Sequence, residues 1–133
     1  MRDLKNGIRS LVRIDFYGHV HKYFRGTDKE PRCANEVKIL KVLAKRKCPN
    51  VPILLDYNLE ECFIKTTNCG SPANNISRAK ADSLFNQLKE NFGVIHDDPE
   101  PRNITYSDRL GEFCIIDFEL ATLVDQYQEN EDK

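Results

Sequence analysis

Two neighbouring stretches decide the fold of this chain: GVIHDDPEPRNITY at residues 93–106 and FCIIDFELA at residues 113–121. The apolar runs 104–106 and 113–116 predict two short strands, because β-branched and aromatic residues dominate both. The polar residues 107–111 between them end in a glycine and predict the connecting turn. We therefore expect a β-hairpin, with Asp117 directly after its second strand.

Three side chains of this stretch carry hard oxygen atoms. Asp98 and Asn103 share the loop before the hairpin, and Asp117 follows it. The hairpin is expected to gather the three side chains around one point, and oxygen donors of this kind suit a magnesium ion bound to phosphate. The alternative is a solvated acidic loop that caps a helix.

The spacing of these residues resembles the catalytic and metal-binding loops of the protein-kinase-like superfamily. Protein kinases carry H-R-D-x-x-x-x-N and, after a short hairpin, D-F-G. Here His96, Asp98 and Asn103 stand at the offsets of the first motif, and Asp117 begins D-F-E, which ends at Glu119. The resemblance implies an α+β, bilobal fold that holds ATP and Mg²⁺.

The resemblance also implies a role for each oxygen ligand. Asp98 would orient the acceptor hydroxyl and take its proton, whereas Asn103 and Asp117 would hold magnesium ions that bridge the ATP phosphates. Little covalent chemistry falls to the protein in phosphoryl transfer, so that positioning and charge compensation do most of the work.

Two charged residues further upstream fit the same pattern. Lys22 resembles the strand lysine that contacts the α- and β-phosphates, and Glu36 resembles its glutamate partner on a helix. The two would form an ion pair. Lys29 is an alternative to Lys22, and a solvated glutamate near a helix N-terminus is the alternative for Glu36.

The nucleotide-binding residues are assigned by their order along the chain. Gly7 and Ser10 occupy the position of the glycine-rich loop, which resembles the shortened loop of small atypical kinases such as the RIO and Bud32 groups; a simple turn is the alternative. The segment that would hold adenine falls at Thr66, Thr67 and Cys69.

The elements expected elsewhere follow from hydrophobic periodicity and turn residues. They are two strands within 9–24, a polar loop at 26–31, a helix at 33–46, strands at 53–57 and 62–66, a linker at 69–75, a helix capped by Ser77 and ended by Gly93, and a frayed polar tail at 126–133. We expect one minimal kinase-like domain over 1–133, with a β-rich N-lobe at 1–66 and a reduced C-lobe at 67–133.

Three departures from protein kinases limit the resemblance. The chain ends sixteen residues after Asp117, so that no full activation segment is expected, and Asp97 replaces the arginine of H-R-D. Glu119 replaces the glycine of D-F-G, which should favour a single loop arrangement. The extra carboxylate is expected either to add a metal ligand or to raise the local pKa by repulsion.

Composition sets broad limits on class and compartment. Hydrophobic residues make up 40% and charged residues 31%, which is ordinary for a globular domain. A net charge of -1 gives no sign of a nucleic-acid or membrane partner. Five cysteines without a C-x-x-C pair, and the lack of a signal core or membrane span, lead us to expect a cytoplasmic protein.

Three functions are compatible with these features. The first is an ATP- and magnesium-dependent kinase acting on a protein hydroxyl, as serine/threonine kinases do. The second is a catalytically weak, pseudokinase-like nucleotide-binding module that regulates a partner protein, with possible self-association through the reduced C-lobe. The third, phosphotransfer to a small molecule such as an aminoglycoside, ranks last, because no added substrate-binding helices are expected.

Overall fold

A computed structural model describes residues 1–124 and Tyr127. In chain order these residues form β1 (Arg2–Asn6), β2 (Ser10–Ile14), β3 (Val20–Phe24), α1 (Lys29–Lys45), β4 (Leu54–Asn58), β5 (Phe63–Thr66), β6 (Ser71–Pro72), α2 (Arg78–Phe92), β7 (Val94–Ile95), a 3-10 turn (Pro101–Asn103), β8 (Ile104–Ser107), β9 (Glu112–Ile115) and β10 (Thr122–Leu123). The expectation for the tail 126–133 falls, apart from Tyr127, outside the described residues.

The first half is a five-stranded antiparallel sheet with the strand order β1-β2-β3-β5-β4. Lys22 lies on the central strand β3, opposite Val12 of β2 and Ile64 of β5. Strand β1 was not predicted. Its sequence RDLKN is exposed along its whole length and lacks the alternation of a half-buried strand, so that pairing with β2 is what marks it as a strand.

Helix α1 begins at Lys29, four residues before the predicted start, and the expected polar loop at 26–31 is therefore wrong in its second half. Pro31 falls in the first turn of the helix, where its missing N–H costs no intrahelical hydrogen bond. The earlier start matters for the site, because it places Arg32 within the helix, one turn before Glu36.

The second half combines α2 with two small antiparallel sheets, β6-β8-β9 and β7-β10. The predicted ends of α2 are confirmed: the Ser77 Oγ accepts from the Lys80 N–H at 3.1 Å, and Gly93 ends the helix at φ 69°. The linker expected at 69–75 is wrong in part, since Ser71–Pro72 forms β6 on the edge of the β8–β9 hairpin. An edge position suits a proline, which has no N–H to donate.

One buried apolar cluster connects the two halves. Cys33 and Leu43 of α1 belong to it together with Phe85 of α2, Ile104 of β8 and Phe118. The protein is thus a mixed α/β structure with mostly antiparallel sheets around one continuous core. Within 1–124 and at Tyr127, no helix has the length and apolar character that crossing a membrane requires.

Candidate functional site

A cavity of about 380 Å³ lies between the five-stranded sheet and the residues that follow β5 and β9. This volume is within the range of small-molecule sites. Seven of the predicted site residues line it: Ser10, Lys22, Glu36, Thr66, Thr67, Cys69 and Asp117. Gly7, Asp98 and Asn103 are not among the lining residues.

Lys22 joins two acidic residues at the wall of this cavity. Its Nζ donates to the Glu36 Oε1 at 2.9 Å and to the Asp117 Oδ1 at 3.4 Å. The other carboxylate oxygen of Glu36 accepts from the backbone N–H of Phe118 at 3.0 Å. The expected ion pair between Lys22 and Glu36 is present, and Glu36 connects it to the backbone directly after Asp117.

The charges of this group stabilise one another. Burial disfavours the Lys22 ammonium, but the charges of Glu36 and Asp117 outweigh burial and raise the pKa of Lys22 above its ordinary value. Burial also disfavours the Asp117 carboxylate, but Lys22 lowers the pKa of Asp117 below its ordinary value. Within this group, one ammonium is thus paired with two carboxylates at the cavity wall.

Asp117 has an unusual backbone conformation, with φ at 68°. A residue other than glycine in the left-handed region is uncommon, although aspartate enters it more readily than most. Such strain, about 1–3 kcal/mol, tends to occur at functional sites, where the surrounding structure imposes it. The carboxylate that lines the cavity thus belongs to a residue with a left-handed backbone conformation.

Asp98 and Asn103 contact each other directly. The Asn103 Nδ2 donates to the Asp98 Oδ2 at 2.8 Å and to the Asp98 carbonyl at 2.9 Å. Arg102 holds the same carboxylate with two hydrogen bonds of 2.9 and 2.7 Å. Asp98 is therefore engaged by its own loop, a contact that the sequence analysis did not anticipate.

His96 connects this loop to the strand end beside Asp117. Its Nδ1 accepts from the Asp98 N–H at 3.0 Å, so the proton of the neutral ring is assigned to Nε2, which donates to the Ile116 carbonyl at 2.9 Å. The Ile116 N–H in turn donates to the Asn103 carbonyl at 2.9 Å. These contacts link the loop to Ile116, the residue before Asp117.

Asn103 and Asp117 carry oxygen atoms of the kind that could hold a magnesium ion. Hydrogen bonds from Nδ2 fix the Asn103 amide so that its oxygen faces away from Asp98, and Asp117 offers a carboxylate at the cavity wall. Magnesium is commonly held by one or two carboxylates together with substrate phosphates. No group of three or more His, Cys, Asp or Glu side chains that could hold a metal ion occurs in the described part of the chain.

The segment expected to hold adenine lies at the cavity and is well anchored. Thr67 exchanges hydrogen bonds with Ile53, through its own N–H at 3.0 Å and through its Oγ1 at 2.9 Å. The carbonyl of Cys69 accepts from the Thr105 Oγ1 at 2.6 Å. Ser10 is buried at the same cavity, and the Gly7 N–H donates to the Ser10 carbonyl at 2.9 Å within the β1–β2 turn.

Comparison with known proteins gives a partial similarity to a protein kinase. The chain is 35% identical over 78 residues to the human cell division cycle 7-related protein kinase. The aligned region covers 57% of this chain but only 13% of that kinase. No protein-family model matches the sequence.

The structure places the Glu119 carboxylate beside two arginines. Its Oε2 accepts from the Arg32 Nη1 at 2.9 Å, and its Oε1 lies 3.8 Å from Arg9, so the side chain faces cations rather than a metal site. The pKa of Asp117 is lowered, not raised.

Sequence reasoning missed the buried pair of Arg32 with Glu119. The available signal was a charged residue on the buried face of a helix, one turn before Glu36. A buried charge in such a position requires a partner.

Proposed function

We propose that this chain binds ATP with Mg²⁺ in the cavity and transfers the γ-phosphoryl group to a protein hydroxyl, as an atypical serine/threonine kinase related to the RIO and Bud32 groups. The sheet with α1 would form the N-lobe, and residues from 67 onward the reduced C-lobe. The contact of Lys22 with both Glu36 and Asp117 at the cavity wall carries the proposal. The partial similarity to a protein kinase supports it.

Lys22 supplies the positive charge for the phosphates. A lysine held between two carboxylates remains protonated, and its ammonium is a compact charge suited to phosphate oxygens. Glu36 orients it from α1. Asn103 and Asp117 would hold magnesium, which, when bound, neutralises charge on the phosphate oxygens.

The remaining step concerns the acceptor. Its hydroxyl oxygen forms a bond to the γ-phosphorus while the bond from that phosphorus to the β–γ bridging oxygen breaks. The hydroxyl proton passes to Asp98, and ADP leaves with the electron pair of the broken bond. Because Asp98 is bound by Arg102, the acceptor has to displace or share that contact to reach the carboxylate. General-base catalysis of this kind contributes about 10²–10⁴-fold.

Nucleotide binding is the first test. We would measure thermal unfolding with ATP, ADP and AMP, each with and without Mg²⁺, because a ligand that binds only the folded state raises the melting temperature. The largest shift is expected for ATP with Mg²⁺, and Asp117→Asn should reduce its magnesium-dependent part. Asparagine is chosen because it tolerates positive φ. The exposed Asp108→Asn is the matched control. No shift with any nucleotide would refute the proposal.

Phosphotransfer is the second test. Incorporation of label from γ-labelled ATP, into the chain itself or into a general protein substrate, is expected for the wild type and should be lost in Asp117→Asn. Labelling that persists at the wild-type rate in this variant would contradict the metal role of Asp117.

A second candidate function is a nucleotide-binding regulatory module without turnover. The engagement of Asp98 by Arg102, away from the cavity lining, favours it. This module would bind a partner protein or a second copy, for which the exposed Tyr106 and Leu110 of the β8–β9 hairpin offer apolar surface. Nucleotide-dependent stabilisation without label transfer, together with a dimer in light scattering, would identify it.

A further inference from the structure

Helix α1 is bound to the segment after Asp117 by three side chains of one face. Arg32 bonds to the Glu119 carboxylate at 2.9 Å. Asn35 donates from Nδ2 to the carbonyls of Glu119 at 3.0 Å and Ala121 at 2.9 Å. Glu36 accepts from the Phe118 N–H. Residues at i, i+3 and i+4 share a helix face, so that this face contacts residues 118, 119 and 121 of the segment.

Arg32 also donates hydrogen bonds to several backbone segments. Its Nε donates to the Thr27 carbonyl at 2.9 Å, its Nη1 also reaches the Arg9 carbonyl at 3.3 Å, and its Nη2 bonds to the Arg25 carbonyl. One guanidinium thus joins the start of β2, the end of β3 and the loop before α1 to Glu119. Only the planar five-donor group of arginine serves this many directions at once.

The ion pair between Arg32 and Glu119 is largely buried, so that each charge depends on the other. The two side chains are 2% and 11% exposed, and a buried charge that loses its partner is strongly unfavourable. The α1 face therefore stays attached to 118–121 as long as both charges remain. Asp117 immediately precedes this attached stretch and holds a strained φ, which needs such external support.

We infer that Arg32 and Glu119 are positioning residues of the proposed site. Their pair holds α1 against 118–121, and thereby keeps Lys22 and Glu36 beside Asp117. The geometry assigns this role to the residue that stands where protein kinases have the glycine of D-F-G. Because it concerns the same site, the inference rests on the proposed function.

The test compares Glu119→Gln with the wild type. Glutamine keeps the shape but removes the charge, and Asp3→Asn is the matched control, since Asp3 pairs with Arg13 at 2.8 Å on the exposed edge of the sheet. We would measure the affinity for ATP by calorimetry with and without Mg²⁺, and hydrogen exchange at the amides of 118–121. Should Glu119→Gln not fold, Asn35→Ala removes two bonds of the same attachment without leaving a buried charge.

In Glu119→Gln, the magnesium-dependent gain in ATP affinity should fall about ten-fold or more, and exchange at 118–121 should accelerate. Mutation of residues that orient metal ligands typically lowers metal affinity or activity by about 10–100-fold. A merely structural role would lower the melting temperature and leave the ratio of the two affinities unchanged, which would overturn the inference. Unchanged exchange at 118–121 would overturn it too.

The proposed function can fail separately from this inference. If the wild type binds no nucleotide with or without Mg²⁺, the proposed function is refuted. The exchange data then still decide whether the pair attaches α1 to 118–121. Arg32→Lys provides an intermediate variant. We expect partial protection from hydrogen exchange at 118–121, because lysine reaches Glu119 but not every carbonyl that Arg32 binds.

Discussion

Replacement of Lys22 by methionine should destabilise the protein measurably, even without nucleotide. The change removes a cation that contacts Glu36 at 2.9 Å and Asp117 at 3.4 Å. Glu36 is only 4% exposed and would remain as a buried charge, although it keeps the hydrogen bond from Phe118. Asp117 is 33% exposed, so that solvent relieves part of its loss.

The magnitude follows from these exposures. Removing one partner of a buried ion pair costs about 3–5 kcal/mol, and the relief at Asp117 and the remaining bond of Glu36 favour the lower end, about 3 kcal/mol. For a chain of 133 residues the entropy of unfolding is roughly 0.28 kcal/mol/K near the melting temperature. A loss of about 3 kcal/mol therefore corresponds to a decrease of about 10 °C in Tm.

Thermal and urea denaturation measure this loss, and the exposed Lys38→Met on α1 is the control, expected within about 0.5 kcal/mol of the wild type. If the unpaired carboxylate of Glu36 causes the loss, the double variant Lys22→Met/Glu36→Gln should recover most of it. A single variant within 1 kcal/mol of the wild type, or a double variant as unstable as the sum of both changes, would refute this reasoning.

Two further predictions concern the sheet and its neighbouring loop. Hydrogen bonds from His21 and from backbone N–H groups lower the pKa of Asp15 from 3.8 to about 2. The stability that Asp15 contributes is therefore present above pH 3.8 and is lost as the pH falls toward 2. The difference in unfolding midpoint between the wild type and Asp15→Asn should shrink over that window in acid titrations, and a difference that is constant with pH would contradict the assignment. Gly70→Ala should cost about 2–4 kcal/mol in urea denaturation, because its Cβ would clash with the Tyr106 carbonyl oxygen and its φ is 96°. Gly18→Ala, with open space around the Cβ at φ 80°, should cost about 1 kcal/mol. Equal losses at the two glycines would show that the close approach at Gly70 does not contribute.

Features encoded locally were predictable from the sequence. Ser77 and Gly93 mark the ends of α2 through their own conformations, and the hairpin after Asn103 follows from two apolar runs and a turn. The motif spacing also indicated that Lys22 and Glu36 would pair, although they are 14 residues apart.

Features that depend on distant partners were not predictable. Strand β1 carries no pattern of its own and exists through β2. Arg32 and Glu119 are 87 residues apart, and neither residue type on its own predicts a buried pair. Arg102 lies within the motif that predicted the site, but its bond to Asp98 was not predicted. The bond depends on the 3-10 turn at Pro101–Asn103, which the proline and the loop composition alone do not specify.

The buried imidazole of His96 has a consequence for motion at the site. Its two nitrogens stand at a fixed separation in a rigid ring, with the Asp98 N–H on one side and the Ile116 carbonyl on the other. The rings of Phe85 and Phe118 pack against it, with centroids at 5.2 and 5.4 Å. Because the ring is rigid, a displacement of Ile116 should also displace the backbone of Asp98. We expect the backbone at Asp98 and at Ile116 to move together.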